Sequence, residues 1–110
     1  MLDNHIEAET LRKGEIIREA FSEKLKSVGE NLTSRGIGLM WGIDFSAYPA
    51  GTAKKASAEC FKRGLIIELA GREDCVLKLM PPLIISDENL KKGLEIIFDA
   101  IIALNLKELS

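Results

Sequence analysis

The sequence has 110 residues, of which 46% are hydrophobic and 29% charged, and its formal net charge is −2. This length suits one compact domain with its own core, and the composition is that of an ordinary soluble globular protein. There is no basic excess of the kind that nucleic-acid binding requires, and the apolar runs fall well short of the ~20 residues of a membrane span. The acidic opening of the chain does not resemble a signal peptide, so a cytoplasmic location is expected.

The sequence contains two cysteines, Cys60 and Cys75, and a single histidine, His5. A zinc site needs about four such ligands at set spacings, so no metal site is predicted. Two reduced thiols are expected rather than a redox pair. His5 lies near a chain end, where we expect it to be solvated, and no nucleophilic triad is predicted.

Two helices are predicted in the first half of the chain. Apolar residues recur every three or four positions over 4–28 and indicate the first helix. Gly14 lies in its interior, where glycine costs about 1 kcal/mol relative to alanine, so a close contact with another backbone is expected there. The second helix is predicted from Thr52, a candidate N-cap, to about Arg63, with Gly64 as its stop.

The alternating stretch 35–45 between these helices predicts a single strand. Its bulky apolar residues would face one side, and Gly36, Gly38 and Gly42 would face the other. Glycines weaken a strand, so a helix is expected to pack closely on the glycine face. These glycines are not a dinucleotide-binding loop, because their spacing is wrong and they lie inside the predicted strand.

A hairpin is predicted in the second half of the chain, from strand 65–69 through a polar turn at 70–74 to strand 75–80. Pro81 and Pro82 end the second strand, because proline has no backbone N–H to donate to a ladder.

The last helix is predicted to begin after Ser86, a good N-cap, and to reach at least Leu104. Its apolar surface is wider than one stripe, so contacts beyond its own sheet are expected. The element order is then α-β-α-β-β-α. This order predicts an α+β fold in which helices cover a small antiparallel sheet.

Lys78 is the one charged residue in the run 76–82, and strand alternation places it on the same face as Val76 and Met80. One interpretation is a charge on an edge strand that blocks aggregation. The other is a cation held for an anionic group of a substrate. The residues alone favour the first interpretation and leave both open.

Two stretches resemble class III aminotransferases: RGIGLMWGIDF at 35–45 and CFKRGLIIELAGREDCVLKLMPPLIISDENLKKGLEII at 60–97. The helix around Arg12–Gly14 fits that family's link from the large domain into the small one. Within the family, the stretch 66–86 is most similar to diaminobutyrate–2-oxoglutarate aminotransferases.

The resemblance implies a homodimeric enzyme that uses pyridoxal 5'-phosphate to move an amino group between a diamino acid, 2,4-diaminobutyrate, and a 2-oxo acid, 2-oxoglutarate. It implies that residues 1–110 are one domain, the C-terminal small domain. Many relatives carry an arginine at Lys78 that binds a substrate carboxylate, so Lys78 is the substrate-binding residue that the resemblance implies. A lysine cannot form the planar two-pronged contact of arginine. No catalytic residue is implied here, because the Schiff-base lysine, its paired acid and the phosphate-binding residues belong to the family's large domain.

A free-standing α+β binding or regulatory module is the alternative to an aminotransferase domain. The exposed surface distinguishes the two. A domain that normally packs against a larger one should show an apolar patch, expected along its first or last helix, and such patches are uncommon on monomers. A free-standing module should have polar helices all round.

The isolated chain is expected to fold but to bind no pyridoxal phosphate and to catalyse nothing. The chain has a core of its own. Pyridoxal chemistry requires the Schiff-base lysine and its paired acid, and the resemblance assigns both to the family's large domain. Absorbance titration with the cofactor and amino donors measures this. A stoichiometric absorbance band, or transamination above that of free cofactor, would contradict the expectation.

Overall fold

The structure is a computed structural model that describes residues 4–81 and 85–106, with only the backbone described at 4–7. The expected solvation of His5 therefore lies outside the described side chains. A short 3-10 helix, Arg72–Asp74, lies between the last two strands. The other elements are, in chain order, α1 (Asn4–Val28), β1 (Thr33–Ile37), β2 (Met40–Asp44), α2 (Thr52–Lys62), β3 (Glu68–Ala70), β4 (Val76–Leu79) and α3 (Asp87–Leu104).

The strands form one four-stranded antiparallel sheet in the order β1-β2-β4-β3. α2 packs on β3 and β4, α1 packs on β1, and α3 packs on both other helices. The predicted α+β class, with helices on a small antiparallel sheet, is confirmed. Within the described ranges, no helix combines the length and apolarity needed to cross a membrane.

The predicted element order is wrong at one place, because the stretch 35–45 is part of a hairpin rather than a single strand. β1 and β2 pair in antiparallel register, and Gly38 and Leu39 form the turn between them. Gly38 has φ of 57°, a left-handed conformation that glycine adopts at little cost. The observed order of helices and strands is therefore α-β-β-α-β-β-α.

The predicted glycine face is also wrong, because the reversal separates the three glycines. Gly36 pairs with Trp41, and a Cβ on Gly36 would overlap the indole ring. Gly42 pairs with Lys78 on the opposite face of the sheet. Gly38 lies in the turn, so the strand carries no continuous bare face against which a helix packs.

The turn at Gly38 is where a helix approaches closely. A Cβ on Gly14 of α1 would lie 2.5 Å from the carbonyl oxygen of Gly38. The close backbone contact expected at Gly14 is therefore confirmed. The same oxygen accepts a 2.8 Å hydrogen bond from Nε1 of Trp41, so one carbonyl contacts both the helix and the indole of β2.

The other elements lie close to their predicted positions. α1 has its predicted bounds, and β3 and β4 form the predicted hairpin. Ser86 caps α3 as predicted, because its hydroxyl accepts a 3.1 Å hydrogen bond from the backbone N–H of Asn89. Thr52 is not an N-cap. It is the first residue of α2 and donates its hydroxyl to the carbonyl oxygen of Pro49 at 2.6 Å, while Gly51 occupies the capping position.

Aromatic side chains join α1, β2 and α3 in the core. Phe21 of α1 meets Trp41 of β2 edge-on at a centroid distance of 5.7 Å, and Phe98 of α3 at 6.0 Å. The expected contacts of the last helix beyond its own sheet are thus confirmed. Other fully or nearly fully buried apolar residues are Ile17, Leu25, Leu32, Ile43, Phe45, Leu77, Leu90, Leu94, Ile97 and Ile101.

Gly14→Ala is expected to lower the free energy of unfolding by about 1–3 kcal/mol, because the new methyl group would displace the turn. Gly93, in the interior of α3, is the matched control, since a Cβ added there has no described atom within 4 Å apart from its chain neighbours and the nearby backbone of its own helix. Gly93→Ala should raise the free energy of unfolding by up to about 1 kcal/mol. Urea denaturation of both variants tests this. Equal stability of the two would mean that α1 does not lie against the turn.

Candidate functional site

In the described part of the chain, the helices cover one face of the sheet and leave the other open. Trp41, Ile43 and Leu77 point toward the helices and are buried. Side chains alternate along a strand, so their neighbours point the other way. The open face is defined here as Arg35, Ile37, Met40, Gly42, Asp44, Glu68, Val76, Lys78 and, just beyond the strand ends, Ile66 and Met80.

One end of the open face is apolar and exposed. Ile37 and Ile66 are each 81% exposed, Met40 is 55% exposed and Met80 is 54% exposed. Ile37, Met40 and Met80 line one cleft, and Ile66 and Met80 line a second. The four side chains therefore form a continuous patch rather than isolated exposed residues, which indicates an interaction surface.

The expected location of an apolar patch, along the first or last helix, is wrong. Among the described residues, the large apolar side chains exposed on helices are Leu11, Phe61 and Ile102, one on each helix. Only part of the additional apolar width of α3 is buried against α1, because Phe98 contacts Phe21, whereas Ile102 is 58% exposed. The uncovered apolar surface lies on the sheet.

A charged row lies beside the apolar patch. It crosses all four strands through the paired positions Arg35, Gly42, Lys78 and Glu68. Nζ of Lys78 lies 3.9 Å from Oε2 of Glu68, and the side chains are 36% and 77% exposed. An ion pair this long and this solvated contributes little to stability. The ammonium of Lys78 is thus accessible from the open face, with no side chain at Gly42 to cover it.

Lys78 does not lie on an edge strand, because β4 lies between β2 and β3. The edge-strand interpretation of Lys78 is therefore wrong. A lysine on an inner strand cannot block the pairing of another chain to a free edge. Its predicted role toward a substrate stays a prediction.

Lys78 also lines a cleft of about 340 Å³ where the β3–β4 ladder ends. The last pair of the β3–β4 ladder is Glu68 with Lys78. Beyond this pair, residues 65–67 and 79–81 form the sides of the cleft, and α3 forms its floor. Its lining is mostly apolar, with Lys78, Glu68 and Asn89 as the polar side chains.

The cleft at Lys78 does not fit pyridoxal phosphate. The cleft at Lys78 contains the Glu68 carboxylate, which would repel a phosphate group, and Asn89 is the other polar side chain there. Lys13 is buried in α1, where its Nζ lies 3.9 Å from Oε2 of Glu9. Residues 4–81 and 85–106 also bring together no group of three or more histidine, cysteine or acidic side chains able to hold a metal.

The two thiols are free and separate, as expected. Burial in the core raises the pKa of Cys60 to about 11, so at neutral pH its thiol is uncharged and behaves as a small apolar side chain. Cys75 is partly buried, and its Sγ lies 3.9 Å from Oδ1 of Asp44. Neither thiol lines the cleft at Lys78.

Arg12 ties α1 to the start of α3 near this cleft. Its Nη1 and Nη2 donate to the two carboxylate oxygens of Asp87 at 2.6 and 3.0 Å, and it also binds Glu9. These hydrogen bonds lower the pKa of the Asp87 carboxyl. The link holds α1 at Arg12 against the first turn of α3.

The single-strand interpretation missed part of the open face. It places Ile37 beside Trp41, although the turn at Gly38 puts the two on opposite faces. A glycine between two alternating segments is a hairpin signal that the sequence does contain. With that turn, Ile37 and Met40 fall on the same face as Lys78.

The family model for aminotransferase class III matches residues 1–101. The chain belongs to the class III aminotransferase family. It is 45% identical over 87 residues to the diaminobutyrate–2-oxoglutarate transaminase of Wolinella succinogenes, covering 78% of this chain and 20% of that protein. It is 39% identical over 102 residues to the transaminase of the same name from Nocardia farcinica, covering 90% of this chain and 22% of that one.

Solved aminotransferases share the fold of this class III chain. The N-acetylornithine aminotransferase of Stenotrophomonas maltophilia aligns with a TM-score of 0.80 and 30% identity, over 93% of this chain and 28% of that one. The acetylornithine aminotransferase of Elizabethkingia anophelis aligns with a TM-score of 0.78 and 26% identity, over 92% and 26%. The chain thus spans between 20% and 28% of the length of these relatives.

Proposed function

We propose that residues 1–110 are the C-terminal small domain of an aminotransferase that moves an amino group between 2,4-diaminobutyrate and 2-oxoglutarate. The observation that carries the proposal is the open face, where an exposed apolar patch adjoins the accessible ammonium of Lys78. A chain that spans about 20% of a relative's length and leaves one sheet face apolar is suited to pack against a larger partner.

In this proposal the domain contributes a substrate contact and dimer surface to a cytoplasmic homodimer. Pyridoxal 5'-phosphate, held by residues outside this chain, supplies the electron sink for amino transfer. The names of the relatives support the diamino acid and the 2-oxo acid as substrates. A free-standing binding module, the alternative, would be expected to cover its apolar sheet face, and the exposed patch argues against it.

Lys78 is the proposed carboxylate-binding residue. Gly42 on one side of it has no side chain, and Glu68 on the other is a distant partner at 3.9 Å. When another domain covers the open face, the ammonium loses water, and an anion is needed to compensate its charge. A substrate carboxylate meets that need better than Glu68, whose side chain is 77% exposed.

Lys78→Met is expected to lower kcat/KM for diaminobutyrate by about tenfold or more, because a charged contact to the substrate is lost. The test enzyme is the Wolinella succinogenes transaminase in which this chain replaces the matching stretch. Steady-state kinetics and thermal melts are measured side by side. The melting temperature should change little, and Lys78→Arg should retain part of the activity.

The matched control is Lys54→Met, which removes an exposed lysine on α2 and should leave the kinetics unchanged. Unchanged kinetics for Lys78→Met would remove Lys78 from the substrate site. A folded, cofactor-loaded chimera that transfers no amino group from diaminobutyrate would contradict the proposed function itself.

A further inference from the structure

Gly93 is a helix-interior glycine without a packing reason among the described residues. Glycine is unfavourable inside a helix. At Gly14 the close approach of the Gly38 carbonyl explains the choice, whereas at Gly93 a Cβ would have no described atom within 4 Å apart from its chain neighbours and the nearby backbone of its own helix. A glycine in such a place indicates that something outside the described residues approaches the helix there.

The space above Gly93 is the 340 Å³ cleft that Lys78 also lines. Its apolar walls include Ile66, Met80, Leu90 and Leu94. Leu90 and Leu94 are nearly fully buried, so the floor is part of the core, whereas Ile66 and Met80 are exposed at the sides. The chemistry of this cleft suits a large apolar side chain, with charged groups only where it meets the open face.

The cleft is continuous with the open face. Met80 lines both this cleft and the neighbouring one that Ile37 and Met40 line. Lys78 and Glu68 belong to the charged row and to the cleft. Any polypeptide that covers the open face therefore reaches the cleft, and pockets of this kind hold the anchoring side chains of interfaces.

We propose that the cleft over Gly93 is the docking site for an apolar side chain from the part of the whole aminotransferase that lies outside these 110 residues. The inference rests on the proposed function. The docking polypeptide would be the remaining part of an enzyme like the relatives, because this chain spans only about 20% of such a relative's length. Glycine at position 93 leaves the floor of the cleft free for that side chain.

Gly93→Leu tests this, because the leucine side chain would occupy the cleft itself. Gly93→Ala is the matched control, since it removes the helix penalty of glycine without filling the cleft. Both variants are made in the 110-residue chain and in the Wolinella chimera, and thermal melts are compared. In the chain alone, the leucine variant should melt at or above the alanine variant. In the chimera it should melt about 3 °C or more below it.

The expected result is that the order of the two melting temperatures, leucine variant against alanine variant, reverses between the isolated chain and the chimera. A leucine variant that is less stable than the alanine variant in the chain alone would show that the chain's own residues fill the cleft, and would overturn the inference. So would a leucine variant at least as stable as the alanine variant in the chimera. A self-association of the parent chain that Gly93→Leu abolishes would assign the cleft to a second copy and overturn it too.

The same experiment distinguishes failure of the proposed function from failure of the docking site. A parent chimera that is inactive toward diaminobutyrate, but shows the reversal in stability, would contradict the substrate assignment and support the docking site. An active parent chimera without the reversal would support the substrate assignment and contradict the docking site.

Discussion

The carbonyl oxygen of Gly38 is the point on which the rest of the structure depends. The left-handed turn reverses the chain there, the backbone of Gly14 packs against this oxygen, and the indole of Trp41 donates a hydrogen bond to it. Because the chain reverses at Gly38, β2 becomes an inner strand and pairs with β4. The turn therefore determines that Gly42 lies beside Lys78 and that α1 packs against the β1–β2 turn at Gly14.

The sheet has two faces with different roles. One is buried under helices through Trp41, Ile43 and Leu77 and supplies the core. The other combines an exposed apolar patch with the accessible ammonium of Lys78. The alternation of side chains along the same strands thus separates the buried core from the exposed face. The described residues therefore form a buried core and still leave an apolar patch exposed on the sheet.

Much of this fold is predictable from local patterns in the sequence. The apolar period of the helices, the Ser86 cap and the β3–β4 hairpin depend on neighbours along the chain, and each is confirmed. The apolar alternation does not predict the turn at Gly38, because Leu39 and Trp41 continue it through the turn, and the single glycine is a weaker signal than that continuous pattern. The place of Lys78 on an inner strand depends on its pairing with Gly42, which is distant in sequence and leaves no local signal.

Oxidation of Met40 and Met80 tests most directly whether the open face is covered in the whole enzyme. Both side chains are more than half exposed in this chain, and exposed methionines are readily converted to sulfoxides. Mass spectrometry would follow their oxidation by hydrogen peroxide in the isolated chain and in the Wolinella chimera. Covering of the open face predicts rapid oxidation of both residues in the isolated chain and much slower oxidation in the chimera. Equal oxidation rates in the two proteins would contradict it.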